Sequence, residues 1–271
     1  MIPASFDYEV ADSVEHAIEL LGSGKDAKLI AGGHSLLPLM RLRLARPELL
    51  VDIGRISDLS YVREDGDAIA IGALTRYRDI EQSELLRAEC PIVAETAGLV
   101  GDPQVRHRGT IGGSIAHSDP ASDLPATTLA LGATYVAQGP NGTREIAAGD
   151  FYQGFLETSL ATDEMLTEIR VPKMNGAGWN FQKFNRRAQD WAIVGVAAWR
   201  RNGESGVGLV NMGSTPILAA SVSNALAQGA SVAEAAQLAA EDAEPQGDLN
   251  ASPEYRVHLA KVLVRRALEA C

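Results

Sequence analysis

The chain has 271 residues, which at roughly 150 residues per domain allows about two domains. Its 46% hydrophobic and 22% charged residues are globular proportions and exclude a collagenous or wholly disordered chain. Lys and Arg number 24 against 35 Asp and Glu, a net charge of −11 that repels nucleic-acid phosphates and excludes a general nucleic-acid-binding role.

The first fifty residues read as a βαβ unit. Asp12 precedes a helical pattern of Val14, Ala17, Ile18 and Leu21, with Glu15 completing a capping box and Gly22 past the end. Ala27–Ala31 is a short apolar strand that runs into Gly32-Gly33. An apolar helix follows from about Ser35 to Leu44, stopped by Pro47, and Leu49–Ile53 is another buried strand. Parallel strands joined through helices are expected.

Further along, Ala68–Ile71 reads as a strand, and helical stretches lie near 75–87 and 91–100. Residues 109–113 read as a glycine-rich turn. Asp119-Pro120 opens a helix to about Leu131, with Asp at the cap and Pro at the first helical position. Tyr135–Ala137 and Arg144–Ala147 flank Pro140-Asn141-Gly142, a hairpin signal. Met165–Val171 is a strand ended by Pro172. The stretch Asn175-Gly176-Ala177-Gly178 reads as a linker, so the expected domains are 1–175, with parts of about 1–53 and 54–175, and 176–271. In the second domain, Trp179–Arg186, Trp191–Trp199 and Gly206–Met212 predict three strands. Alanine-rich helices follow at about 216–228 and 231–241, then an exposed acidic loop over 242–251. Ser252 caps a last helix over about 253–270. The pattern is α+β.

No run approaches 18 apolar residues, so an integral membrane protein is not expected. The opening MIPASFDYEV shows no secretory signal, and the two cysteines, Cys90 and Cys271, form no disulfide framework; a reducing, cytoplasmic setting is expected.

Two glycine loops carry the strongest chemical signal: Ala31-Gly32-Gly33-His34-Ser35, and Thr110-Ile111-Gly112-Gly113-Ser114. Glycine lets a phosphate approach its backbone N–H, and successive N–H groups make a positive concavity. In so acidic a chain a phosphate site needs such local dipoles. A lone Gly-Gly is usually a plain turn; two, each beside a strand and ending on a polar residue, suit the two ends of a pyrophosphate. Replacing Gly112 and Gly113 by Val is then expected to block phosphate approach and spare most of the fold. Gly-x-Gly-x-x-Gly is absent, and Gly22-Ser23-Gly24-Lys25 lacks the Ser or Thr a P-loop requires, since Asp26 follows. Asp119 and Asp123 suit helix capping equally well as hydroxyl binding at a nucleotide. His34, His107 and His117 lack metal-ligand spacing. Cys90, before Pro91 in an apolar setting, reads as core. Lys183, Arg186 and Arg187 read as a solvated basic edge.

Taken in order, these segments resemble the FAD-binding subunits of the molybdenum hydroxylase family, nearest in pattern to those serving carbon monoxide oxidation. The resemblance runs nearly the whole chain. It rests on Met1–Tyr8, Ala31–Pro38, Asp102–Arg106, Gly109–Ser114 and Asp119–Pro125. It implies a two-part vanillyl-alcohol-oxidase-type FAD domain and a smaller α+β C-terminal domain with a three-stranded antiparallel sheet. Non-covalent FAD would have its pyrophosphate on Ala31, Gly32, Gly33, His34, Ser35 and Leu36 and on Thr110, Gly112, Gly113 and Ser114. Asp119 and Asp123 would face its hydroxylated chain, and Leu166, Lys183 and Trp191 its ring. Trp191 stands where the carbon monoxide enzymes carry Tyr, and Ser114 where the loop often ends in Asn. The molybdenum cofactor and two 2Fe–2S clusters would reside on a large and a small partner subunit, in a dimer of heterotrimers. Two cysteines cannot hold even one four-cysteine cluster. No catalytic residue or metal site is expected on this chain. The acceptor, whether quinone, NAD or a cytochrome, is left open, as is the partner's substrate, with purines, aldehydes and N-heterocycles as alternatives to carbon monoxide. The complex is expected in the cytoplasm or at the inner face of its membrane. Two rival readings are a self-sufficient flavoenzyme with its own substrate pocket and a structural subunit that has lost FAD, the latter opposed by the intact Gly32, Gly33, Gly112 and Gly113.

Overall fold

A computed structural model describes residues 2–271. The N-terminal part contains β1 (Asp7–Val10), α1 (Val14–Leu21), β2 (Ala27–Ile30), α2 (Leu36–Arg41) and β3 (Leu49–Asp52). Its three strands are parallel in the order β1-β3-β2, as the βαβ pattern requires. Ala17 and Ile18 of α1 are buried with Leu49, Val51 and Ile53. The helix is capped by Ser13, which accepts from the His16 N–H, so the expected capping by Asp12 and Glu15 is corrected. Asp12 instead meets the His16 ring at 3.1 Å. Helix α2 ends earlier than expected. Arg43 takes a left-handed φ of 61°, and the Leu44 N–H turns back to the Leu39 carbonyl, well before Pro47.

The second part holds β4 (Val62–Asp65), β5 (Ala68–Gly72), α3 (Tyr77–Gln82), α4 (Glu84–Glu89), α5 (Pro91–Gly98), α6 (Pro103–Arg106), α7 (Ile111–His117), α8 (Asp123–Ala130), β6 (Thr134–Gly139), β7 (Gly142–Ala147), α9 (Ala148–Phe151), β8 (Tyr152–Gly154), β9 (Glu157–Thr158) and β10 (Met165–Pro172). Five antiparallel strands run β4-β5-β10-β6-β7, and the hairpin at Pro140–Gly142 is present as expected. The stretch 75–87 divides at Ser83, whose hydroxyl caps α4. Residues 111–113 form the first turn of α7 rather than a free turn. The expected helix from Asp119 begins only at Asp123. Ser118 is left-handed, and the Asp119 carboxylate accepts from the Ala121 N–H, which folds 119–122 into a side-chain-closed turn.

The C-terminal part is β11 (Gly178–Phe184), β12 (Val194–Arg201), β13 (Glu204–Val210), β14 (Ile217–Leu218), α10 (Ala220–Ala227), α11 (Val232–Ala235) and α12 (Pro253–Ala270). The antiparallel sheet has four strands, not three: two residues of the stretch read as helix from 216 pair with β13. Ser252 caps α12, with Pro253 in its first turn. Helices α10, α11 and α12 share an apolar core with one face of this sheet. Helix α8, buried at every residue, lies against the other. A Cβ on Gly208 would collide with the Ala126 carbonyl, so the backbones of β13 and α8 touch directly.

Candidate functional site

The first glycine loop leaves β2 and reaches α2 through Gly33, whose φ of 75° suits glycine. Among the described residues, no backbone acceptor meets the N–H groups of Gly32, Gly33, His34, Ser35 or Leu36. Ser35 does not cap α2 with its side chain, and His34 is exposed. These five consecutive N–H groups have no acceptor among the described residues, so water or a ligand must satisfy them.

The second loop is engaged differently. The Ile111 N–H donates to the Thr75 carbonyl, Gly112 to Ala73, Ser114 to the Thr110 carbonyl, and Gly113 to the Thr110 hydroxyl at 3.3 Å. A Cβ on Gly112 would stand 2.5 Å from that of Ala73. Gly112 therefore lets α7 close onto the end of β5. Its replacement by Val would disturb the fold itself, which corrects the expected outcome of that substitution. Gly113, by contrast, is exposed.

The two loops are neighbours. A Cβ on Gly32 would collide with the Arg108 carbonyl, just ahead of Gly109 and Thr110. Tyr77 extends the site inward: its N–H bonds the Gly109 carbonyl, and its hydroxyl faces the Ser114 hydroxyl. Burial pushes the Tyr77 hydroxyl up to about 12, and the nearby Asp123 charge adds to this.

Asp123, at the start of α8, is 5% exposed. Its Oδ2 accepts from Lys183 Nζ at 2.6 Å, and Lys183 also donates to the Leu99 carbonyl at 2.9 Å. Lys183, on β11, is therefore a buried partner and not a solvated edge. The other Asp123 oxygen, Oδ1, is buried with no partner. Burial raises this carboxyl to about 6, against the opposing charge and hydrogen bond of Lys183.

Leu166, on β10 beside a bulge, is 5% exposed within the main core. Trp191 is 57% exposed on the loop between β11 and β12. With Asp119, Arg186, Asn211 and Arg256 it lines a cavity of about 330 Å³. The structure thus joins Gly32, the Thr110–Ser114 turn, Asp123 and Lys183 into one connected set. Asp119 and Trp191 line that cavity together, and the 119–122 turn leads directly into Asp123. Sequence reasoning missed Tyr77 and Leu99. Neither carries a local signal, because both enter the site through tertiary packing alone.

Free N–H groups for an anion and an unpartnered buried carboxylate oxygen for a hydroxyl fit FAD, a dinucleotide with a polyhydroxylated arm. The architecture and this donor set define a flavoprotein subunit. The family described as the FAD binding domain in molybdopterin dehydrogenase matches residues 4–174, and the CO dehydrogenase flavoprotein C-terminal domain matches residues 179–271. The chain belongs to this family of FAD-binding subunits. It is 43% identical to the carbon monoxide dehydrogenase medium chain of Hydrogenophaga pseudoflava, covering 100% of this chain and 98% of that one. It is 40% identical to the 6-hydroxypseudooxynicotine dehydrogenase complex subunit alpha of Paenarthrobacter nicotinovorans, covering 99% and 95%. The solved structure of the Hydrogenophaga pseudoflava enzyme that lacks the Mo-pyranopterin moiety of its molybdenum cofactor superimposes with a TM-score of 0.96, at 43% identity over 100% and 98% of the chains.

Proposed function

We propose that this chain is the FAD-carrying electron-transfer subunit of a molybdenum hydroxylase, with carbon monoxide as the leading substrate of the complex. The observation that carries this reading is the run of free N–H groups at Gly32–Leu36 joined, through Gly109 and Tyr77, to the buried Asp123–Lys183 pair. When bound, FAD supplies the capacity to take up electrons singly and release them to an acceptor. The chain's own residues hold and orient it. The first loop takes the pyrophosphate, and the second buttresses the first while offering the Ser114 hydroxyl. Asp123 Oδ1 accepts from hydroxyls of the flavin's side chain, and Lys183 fixes the carboxylate and holds a positive charge near the ring. Leu166 and Trp191 complete the apolar surround.

Residues 1–175 form the cofactor domain in this reading and 176–271 the second. The metal centres lie on a large molybdenum-cofactor subunit and a small 2Fe–2S subunit, assembled as a dimer of heterotrimers in the cytoplasm or at its membrane. The acceptor is external to the complex: a quinone, NAD or a cytochrome. Burial pushes the Cys90 thiol to about 12 and the Cys271 thiol to about 11, which keeps both protonated and unreactive as free thiols. Relatives of nearly equal identity are named for chemically unlike substrates, which supports placing substrate choice on another chain. The same observation favours the second reading, an N-heterocycle hydroxylase, which shares this flavin site.

The test is the visible spectrum of the purified chain with its co-purifying partners retained. Flavin bands over a broad iron–sulfur background, with bleaching on addition of carbon monoxide, are expected. Flavin bands without any partner would favour a self-sufficient flavoenzyme. An assembled complex that takes up no FAD would overturn the reading.

A further inference from the structure

We infer that Arg256, on the C-terminal helix α12, is a positioning residue that holds the Trp191 loop in place beside the flavin site. This deepens the proposed function and rests on Trp191 flanking the flavin. The loop spans residues 185–193 and has little hold of its own. Trp191 is more than half exposed, and Gln189 is left-handed with φ 67°. Within the loop, Asp190 accepts from Arg187 Nε at 3.1 Å and from the Trp191 N–H at 3.0 Å. What ties it to the rest of the molecule is backbone. Arg256 Nη1 donates to the Ile193 carbonyl, Asn211 Nδ2 donates to the Ala192 carbonyl at 2.8 Å, and the Ile193 N–H closes onto Phe184.

Arg256 also reaches the Asn211 carbonyl at 3.5 Å, and the Asn211 N–H bonds the Pro120 carbonyl at 2.7 Å. One guanidinium therefore ties the Trp191 loop to the Asp119–Ser122 turn that leads into Asp123. Its other arm, Nη2, meets Asp248 at 2.7 Å, and Asp248 is itself fixed by the N–H groups of Asn250 and Ala251.

The energetics point to position, not stability. Arg256 is 2% exposed and its Nε has no partner. Burying a charge against one exposed carboxylate is a poor way to stabilise a helix, and an apolar residue of that length serves as well or better. A planar fork with donors in fixed directions is what an apolar residue lacks. It can hold two carbonyls that flank different strands, Ile193 before β12 and Asn211 after β13, in register under a loop, and those two carbonyls lie at the base of Trp191 and beside Pro120.

The experiment uses the full chain loaded with FAD and three substitutions: Arg256→Met, Arg256→Lys and Trp191→Phe. Backbone hydrogen exchange over 186–193 is read beside that of β12 and α12, together with the visible circular dichroism of the flavin. In Arg256→Met, exchange over 186–193 is expected to rise on the order of tenfold while β12 and α12 hold theirs. The flavin signal is expected to move toward that of Trp191→Phe, and Arg256→Lys should restore part of both. Exchange rising equally through the whole C-terminal domain would mean plain packing and overturn the inference, as would no rise at all. A flavin signal unmoved by Trp191→Phe would instead overturn the placement of Trp191. Should Arg256→Met fail to fold, Asp248→Asn removes only the ion pair. A smaller rise confined to 186–193 is expected there, and its absence counts against the anchor.

Discussion

Asp123 is held out of water with one oxygen on Lys183 and the other on nothing, and its behaviour with pH follows from that. Its carboxyl sits at about 6 in the folded chain against an ordinary value of 3.8. Between those values the folded chain binds more protons than the unfolded one. This group's contribution to stability therefore falls as pH rises from about 4 to about 6, and is level above. Asp123→Asn should remove that slope, read as the difference between wild-type and variant urea midpoints across this range. The charged form is the stronger acceptor for a hydroxyl. FAD should accordingly leave faster at about pH 5 than at about pH 7.5, followed by the rise of free-flavin fluorescence, and the pH effect should be absent in the Asn variant. The glycines separate by the same kind of reasoning. Gly32→Ala drives a Cβ into the Arg108 carbonyl, backbone against backbone, so the two loops must part. It should lower bound FAD several-fold and cost about 1–3 kcal/mol in thermal unfolding. Gly113→Ala meets only the Thr110 hydroxyl and should cost about 1 kcal/mol, the worth of that cap, with FAD largely retained.

Helix α8 decides how the elements come together. It carries Asp123 at its first turn and lies on β13 along its length, where Gly208 allows the backbones to touch. Trp199 Nε1 on β12 donates to the Ala130 carbonyl at the helix's far end, at 2.7 Å. Lys183 reaches Asp123 from β11 of the same sheet, so this packing sets the ion pair. Gly208→Val should destabilise the chain by more than 1 kcal/mol and reduce FAD content, measured together by thermal unfolding and flavin absorbance. The sequence made α8 look longer, because Asp119-Pro120 is a good helix start. The physical reason it fails is local competition: Asp119 closes a turn on Ala121 before the helix can form. The short strand β14 was hidden for a related reason. Two residues that pair with the preceding β13 are too few to carry a period of their own.

At the scale of the whole molecule, the main core draws residues from both sides of the linker: Phe181, Ala197 and Val210 sit among Ile111, Leu124 and Tyr135. Separate unfolding of the two parts would expose that surface. A single cooperative transition is expected in urea. All three tryptophans, at 179, 191 and 199, lie in the C-terminal part, and Trp179 and Trp199 pack on the shared core, so their fluorescence reports that part and its contact with the first. Its midpoint should coincide with that of far-ultraviolet circular dichroism, which reports both; two midpoints would show the parts to be independent. The charge of −11 opposes anions everywhere except where the backbone supplies its own dipoles. A phosphate site in such a chain belongs at glycine loops, where backbone N–H groups are free.

The sequence by itself determined the α+β class, the parallel opening unit, the hairpin at Pro140–Gly142 and the last helix with its Ser252 cap. Each follows from short-range periodicity and turn or capping chemistry acting within a few residues. It also marked both glycine loops as special, because missing side chains are visible in a sequence. The tertiary structure alone decided what each loop does. Free N–H groups at Gly32–Leu36 and occupied ones at Ile111–Ser114 depend on which carbonyls happen to lie opposite, Thr75 and Ala73 in the second case. The same holds for Lys183. A lysine on a strand reads as solvated until packing buries it 2.6 Å from a carboxylate sixty residues away in the chain. Hydrogen-bond satisfaction and burial are properties of the assembled neighbours, and no local pattern encodes them.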